Sequence, residues 1–333
     1  MRLAREVSLP ARPLGLSDLR LPYRAAMNPE AAAAGSFTKR LALDTGVLRP
    51  HQERFFDEFN DLSARFYPQA SKDGLMLGTL LISWLFFLDD SYDRDATFAS
   101  DVAGVRALME GCLEVLSTGV LPARPLPLHL YSREFRDRLM SMTDTAWLAR
   151  FQATVEDYLL RGSLEVVKSW SASATVEVET YMERRVHDSG VLPCVDLLEP
   201  LGRYVLPAHV LRDPAVQDLR HLCARVIAHA NDLVSYENEV IVRDKPNNLV
   251  RLLMQRDRLS FEAAVSATVD FINRDVQAFT SISDGLPRWG EPVDSWLYLH
   301  ARGMESLMKG NLDWSLTSRR YCAASSPFPE LRI

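Results

Sequence analysis

The chain has 333 residues, 47% of them hydrophobic and 25% charged, with a formal net charge of −6. That composition supports one large core and argues against a nucleic-acid partner, which would want a basic face. It leaves room for an anionic substrate, because local arginines and bound metal ions reverse the sign inside a pocket.

In chain order, residues 1–20 carry Pro10, Pro13 and several arginines, without periodicity or a continuous apolar run. They are expected as a poorly ordered extension and not as a secretory signal. From residue 21 onward helical periodicity dominates, and strand-type alternation is almost absent. The pattern predicts helices over 31–48, 52–67, 72–88, 98–116, 143–170, 175–187, 214–240, 260–282 and 293–318. A proline-rich connection covers 120–130. Residues 72–88 are apolar on most sides and mark a buried central helix. Their longest apolar run, 75–88, is shorter than the roughly 20 residues of a membrane span. No internal repeat is visible. The expected organisation is all-α, with one domain over 21–322 and a tail at 323–333. Cys112, Cys194, Cys223 and Cys322 form no CxxC pair, which reads as free thiols in the reducing cytoplasm.

At the end of the apolar helix, WLFFLDDSYDRD gathers Asp89, Asp90 and Asp93, with Asp95 close by. Asp89 and Asp93 share a helical face at i, i+4. Carboxylates crowded at a helix C-terminus repel one another and the helix dipole. Such a cluster is either a solvated acidic loop or a cation site, and hard oxygen ligands of this kind suit Mg²⁺. Its flank of Trp84, Phe86 and Phe87 puts it at the mouth of an aromatic core, where a cation can be both made and held.

A second segment, HANDLVSYENEV, carries Asn231, Ser235 and Glu239 at steps of four. Each step drifts only some 40° around a helix, so the three form one stripe. An amide oxygen, a hydroxyl and a carboxylate make a hard-ligand set. The plainer alternative is the polar face of an amphipathic helix, since Asp232 and Glu237 are polar too. The two clusters stand about 140 residues apart on separate helices, as opposing walls of one pocket require.

DDSYD resembles the aspartate-rich motif of class I terpene synthases, and NDLVSYENE matches their second metal motif, (N/D)Dxx(S/T)xxxE, at every defined position. Arg185, 46 residues before Asn231, is similar to the arginine that senses the diphosphate in bacterial-type members. Asp188 matches the linker acid that follows it. Ser189 matches the helix-break residue, often Gly, whose carbonyl faces the substrate. Arg320-Tyr321 resembles the C-terminal Arg-Tyr pair, and Trp314 an aromatic lining the cavity. LPYRAAMNPEAA is similar to the N-terminal signature. The resemblance spans about residues 20–322. It departs at Asn238, where many relatives carry Lys, with Arg243 or Lys245 left as possible compensation. The usual Trp near Arg40-Leu41 is also missing.

The resemblance implies a class I terpenoid synthase helical bundle with a central active-site cavity. It implies three Mg²⁺ ions on Asp89, Asp90, Asp93, Asn231, Ser235 and Glu239, and a diphosphate held by Arg185, Arg320 and Tyr321. Catalysis is expected to involve Arg185, Asp188, Ser189, Phe86 and Trp314, with Phe55, Phe56 and Trp84 as further aromatic candidates. The expected reaction ionises an isoprenyl diphosphate and cyclises the cation to a terpene hydrocarbon or alcohol. Farnesyl diphosphate is the expected substrate and geranylgeranyl diphosphate the alternative; a homodimer is left open. His187 and His229 read as structural. One rival is a chain-elongating prenyltransferase, which would carry a second DDxxD in place of Asn231/Ser235/Glu239. The other is a non-catalytic helical binding or scaffold protein. Neither GxGxxG nor a P-loop pattern is present to support nucleotide binding.

Overall fold

The computed structural model describes residues 14–93, 100–171 and 175–332. Among them every regular element is helical. The elements are α1 (Ala31–Asp44), α2 (Glu53–Phe66), α3 (Lys72–Asp93), α4 (Val102–Thr118), α5 (Pro127–Met142) and α6 (Thr145–Glu156). A π-helical segment, Asp157–Ser163, leads into α7 (Leu164–Ser171), α8 (Val178–Asp188), and the short α9 (Val191–Asp196), α10 (Leu198–Gly202) and α11 (Ala208–Leu211). Then come α12 (Pro214–Val234), a second π-helical segment Glu237–Val242, α13 (Leu249–Asp257), α14 (Phe261–Asp284) and α15 (Val293–Ser315).

Side-chain caps set several helix starts by satisfying otherwise orphaned amides. Asp144 accepts from Trp147 N at 2.7 Å, Asp213 from Ala215 N at 2.9 Å and Ser260 from Ala263 N at 3.2 Å. Pro214 adds a pre-set φ at the first position of α12.

α3 and α12 form the centre. Leu75, Leu77, Leu80, Leu81, Trp84 and Leu88 bury every side of α3, which packs on α1, α2 and α5. α12 buries Leu219, Cys223, Ile227 and Leu233 against α8, α14 and α15. Lys72–Tyr92 is long and apolar enough to cross a membrane, but most of it is buried inside this core.

Several expectations change. The extension placed at 1–20 is docked over its described part: Leu16 is buried, Leu14 N donates to Ser266 Oγ at 3.0 Å, and Arg20 N donates to Asn273 Oδ1 at 2.8 Å. Over its described residues, 323–332, the expected tail packs on the helices, with Phe328 and Leu331 buried and the Phe328 ring 5.8 Å from Phe261. Helices α5, α9, α10, α11 and α13 lie outside the predicted set. The helices expected over 143–170 and 214–240 each switch to π-type hydrogen bonding part-way.

Candidate active site

The C-terminal half of α3 turns Ile82, Leu85, Phe86 and Asp89 toward one cavity of about 230 Å³. These positions recur at i, i+3, i+4 and i+7, one helical face. Across from them, α12 contributes Ile227, Ala228 and Asn231, followed by Ser235, Asn238 and Glu239. Tyr181, Arg185 and Asp188 enter from α8, Asn311 and Trp314 from α15, and Arg320 and Tyr321 from the segment beyond it. Asp89 of the first expected metal-ligand set and Asn231, Ser235 and Glu239 of the second therefore line one cavity.

Asp90 lies one residue, about 100°, around α3. It lines a neighbouring cleft with Phe55, Phe59 and Phe87 and does not line this cavity. The Asp93 side chain and Asp95 lie outside the described residues.

Arg320 ties the C-terminal segment to the first acidic cluster. Its Nη1 and Nη2 donate to Asp90 Oδ1 at 3.1 and 3.0 Å, and Nη2 to Asp89 Oδ2 at 3.5 Å. Its guanidinium carbon stands 5.0 Å from the Phe86 ring centroid, a cation–π distance. Burial opposes the Arg320 charge, but Asp90 and Asp89 outweigh it and raise the pKa.

Arg185 is held from two sides. Nη1 donates to Asp188 Oδ1 at 2.9 Å; Nη2 donates to Asp232 Oδ1 at 2.9 Å and to Asn231 Oδ1 at 3.2 Å. Burial acts against its charge, and Asp188 and Asp232 more than offset that. Asp188 is pushed upward by burial, with Arg185 opposing. Burial likewise lifts Asp232 to about 7 against the pull of Arg185. Gly190, at φ 68°, ends the α8 turn after Ser189 in the left-handed region that glycine adopts without strain.

The second cluster is a hydrogen-bonded set. Asn231 Nδ2 donates to the Tyr321 hydroxyl at 2.8 Å, Ser235 Oγ to Asn231 O at 2.7 Å, and Asn248 Nδ2 to Glu239 Oε2 at 3.2 Å. α12 stops at Val234, so Glu239 is presented by the second π segment and not by a continuous α-stripe. The first π segment supplies Tyr158 and Ser163 to the same cavity. Such widened turns concentrate at functional sites. Gly162 lets that segment meet α8: a Cβ there would stand 2.7 Å from His187 O.

Donor chemistry favours a hard divalent ion. Every lining ligand candidate is an oxygen: carboxylates of Asp89 and Glu239, the Asn231 amide and the Ser235 hydroxyl. Among the described residues no three His, Cys, Asp or Glu side chains gather as a metal site. The α3 and α12 walls thus each supply one lining carboxylate, too few by themselves for a hard divalent ion, which takes about six oxygen ligands.

Of the aromatics expected at the cavity, Phe86 and Trp314 line it, 5.7 Å apart between ring centroids. Trp84 does not: it is fully buried on another face of α3, where its Nε1 donates to Ser132 Oγ at 2.8 Å. Phe56 packs on Phe59 and Phe87, and Phe55 lines the neighbouring cleft. Phe66, Tyr158, Trp170 and Tyr181 line the cavity without having been singled out. Lys245 lines it too, with Nζ 4.3 Å from the Trp170 ring centroid; Arg243 is exposed and does not. His187 pairs with Asp157, and His229 is fully buried beside the second motif.

Known proteins agree with this architecture. The model of terpene synthase family 2, C-terminal metal binding, matches residues 80–278. The (+)-T-muurolol synthase ((2E,6E)-farnesyl diphosphate cyclizing) of Roseiflexus castenholzii is 29% identical over 303 residues, covering 90% of this chain and 92% of that one. The pristinol synthase of Streptomyces pristinaespiralis is 28% identical, covering 91% and 84%. The linalool/nerolidol synthase from Streptomyces clavuligerus, solved with 2-fluorogeranyl diphosphate, superposes with a TM-score of 0.79 at 21% identity over 90% of this chain and 99% of its own. The family match covers more than half of the chain and spans both acidic clusters, so the chain belongs to the terpene synthases, lyases that act on prenyl diphosphates.

Proposed function

We propose that this enzyme is a Mg²⁺-dependent sesquiterpene cyclase of the cytoplasm that ionises farnesyl diphosphate. The observation that carries the reading is the meeting of Asp89 with Asn231, Ser235 and Glu239 across one cavity that Arg185, Arg320 and Tyr321 also line. The farnesyl diphosphate cyclising relative supports the substrate.

In this reading Asp89 holds metal from the α3 side and Asn231, Ser235 and Glu239 from the α12 side. The bound Mg²⁺ supplies neutralisation of leaving-group charge. Arg185 and Arg320 donate charge-assisted hydrogen bonds to the diphosphate oxygens, and Tyr321 adds a hydroxyl. Asp188 and Asp232 keep the Arg185 fork aimed. The faces of Phe86 and Trp314 stabilise the migrating positive charge without acting as bases, and the apolar wall keeps bulk water from it.

Incubation of the purified chain with Mg²⁺ and geranyl, farnesyl or geranylgeranyl diphosphate tests this, read by diphosphate release and gas chromatography–mass spectrometry. Cyclic fifteen-carbon products that vanish on chelation are expected. A longer linear diphosphate formed with added isopentenyl diphosphate would overturn the reading.

A further inference from the structure

The chain leaves the second π segment at Val242 and enters α13 at Leu249. Hydrogen bonds fix the connection between them. Lys245 N donates to Glu239 O at 2.8 Å, and Arg251 Nη1 donates to Lys245 O at 3.0 Å. The connection is also tied to the end of α7 and the residues after it. Asn247 Nδ2 donates to Ser169 Oγ at 3.3 Å, and Asn247 Oδ1 accepts from Val176 N at 3.2 Å. The Lys245 backbone is therefore held beside Glu239, while Lys245 itself lines the cavity.

The Lys245 ammonium stands 4.3 Å from the centroid of the Trp170 ring, which is half-buried and lines the same cavity. Trp170 in turn lies 6.3 Å from the Tyr92 ring, and the Tyr92 hydroxyl donates to Asp89 Oδ1 at 3.2 Å. Lys245 and Trp170 together bridge from the Glu239 wall to the Asp89 wall. Arg185 and Arg320 are each gripped by two carboxylates, whereas the Lys245 ammonium rests against a ring face. A cation–π contact is weaker than a charge-assisted hydrogen bond to a phosphate oxygen, and a lysine turns on a flexible four-carbon stem. An anion entering the cavity competes with the ring for this ammonium and wins.

We propose that Lys245 is a further diphosphate-binding residue, held in waiting on Trp170 and transferred to a diphosphate oxygen when substrate binds. The inference rests on the cavity being a prenyl diphosphate site and adds to it a mobile cation with a defined resting place. No bond is made or broken in the transfer.

The test titrates inorganic diphosphate with Mg²⁺ into wild type, Lys245→Met, Lys245→Arg and Trp170→Leu, read by calorimetry. Lys245→Met keeps the stem and removes the charge, and should weaken binding about tenfold, the scale of one charge-assisted hydrogen bond. Lys245→Arg should restore most of it. Trp170→Leu removes the competitor and should tighten binding by about two- to fivefold, the scale of a cation–π contact. A contact that only held the fold together would weaken binding from both sides. The emission of Trp170, taken as wild type minus Trp170→Phe, should change as diphosphate draws the ammonium off the ring. If circular dichroism shows Trp170→Leu unfolded, Lys245→Met and the emission change carry the test. A dissociation constant unmoved in Lys245→Met, weakening in both Lys245→Met and Trp170→Leu, or constant emission overturns the transfer. No turnover of geranyl, farnesyl or geranylgeranyl diphosphate by wild type, with diphosphate binding still dependent on Lys245, overturns the cyclase reading and leaves the anion site standing.

Discussion

Asp232, fully buried, accepts from Arg185 Nη2 at 2.9 Å and from the Tyr181 hydroxyl at 2.9 and 3.0 Å. The second residue of the NDLVSYENE motif thus turns away from the expected ligand stripe and grips the arginine of α8. Asp232→Ala leaves Arg185 short of one buried partner and orphans the tyrosine. It should cost about 3 kcal/mol, as breaking buried ion pairs does, and lower turnover. Asp232→Asn keeps an acceptor and should cost only about 1–2 kcal/mol. Thermal unfolding and steady-state kinetics check both. Unchanged turnover in each variant would mean that Arg185 needs no such support.

Asp89 and Asp90 are adjacent but differently engaged. Asp89 lines the cavity, whereas Asp90 faces the next cleft and binds Arg320. Asp89→Ala and Glu239→Ala are expected to lower turnover more than about 100-fold, beyond the 10–100-fold typical of losing an outer partner of a metal ligand. The helical circular dichroism should stay unchanged. Asp90→Ala should cost about tenfold, the scale of one charge-assisted hydrogen bond. Diphosphate release against Mg²⁺ concentration separates the two: equal losses would place both carboxylates in one role.

The walls of this site were legible because oxygen-bearing side chains recur at steps of four, Asn231, Ser235 and Glu239 above all, although Glu239 reaches the wall from a π turn. What periodicity hid follows from packing. The π turns at Asp157–Ser163 and Glu237–Val242 widen the helix by one residue per turn locally, which no hydrophobic pattern encodes. Trp84 sits on a helix apolar all round, so its face was undetermined and it points away from the cavity. Pro127 was read as part of a connection, yet it starts α5 at the first helical position, where proline is favoured. The inward turn of Asp232 had a readable signal: one residue off a stripe is a 100° rotation.

Gly162 brings the first π segment against α8 so closely that a Cβ would stand 2.7 Å from His187 O and 2.8 Å from Asp188 Cα. Both are backbone atoms and cannot swing aside. Gly162→Ala must push α8 outward, and Arg185 and Asp188 with it. A loss of about 1–3 kcal/mol, typical of overpacking, is expected together with a raised KM. An unchanged unfolding temperature would show that the two segments separate freely.

Buried titratable groups away from the cavity make opposing contributions to stability as pH falls. His300 is fully buried, hydrogen-bonded through Nδ1 to the Tyr204 hydroxyl at 3.0 Å, and lowered by burial and then by Arg220 to about 3. Its unfolded value is about 6.5, so below that pH only the unfolded chain takes up the proton. The His300 contribution is therefore intact above pH 6.5 and lost as pH falls, by about 2 kcal/mol at pH 5. Asp275, paired with Arg225 at 3.0 Å, behaves oppositely: burial raises it to about 6 against the pull of Arg225. Below pH 6 the folded chain takes up a proton that the unfolded carboxylate still lacks, so Asp275 favours folding by about 1 kcal/mol more at pH 5 than at pH 7. Denaturant unfolding at pH 7 and pH 5 should show the wild type losing more stability than His300→Gln and less than Asp275→Asn. Parallel pH dependence in all three proteins would rule out both assignments.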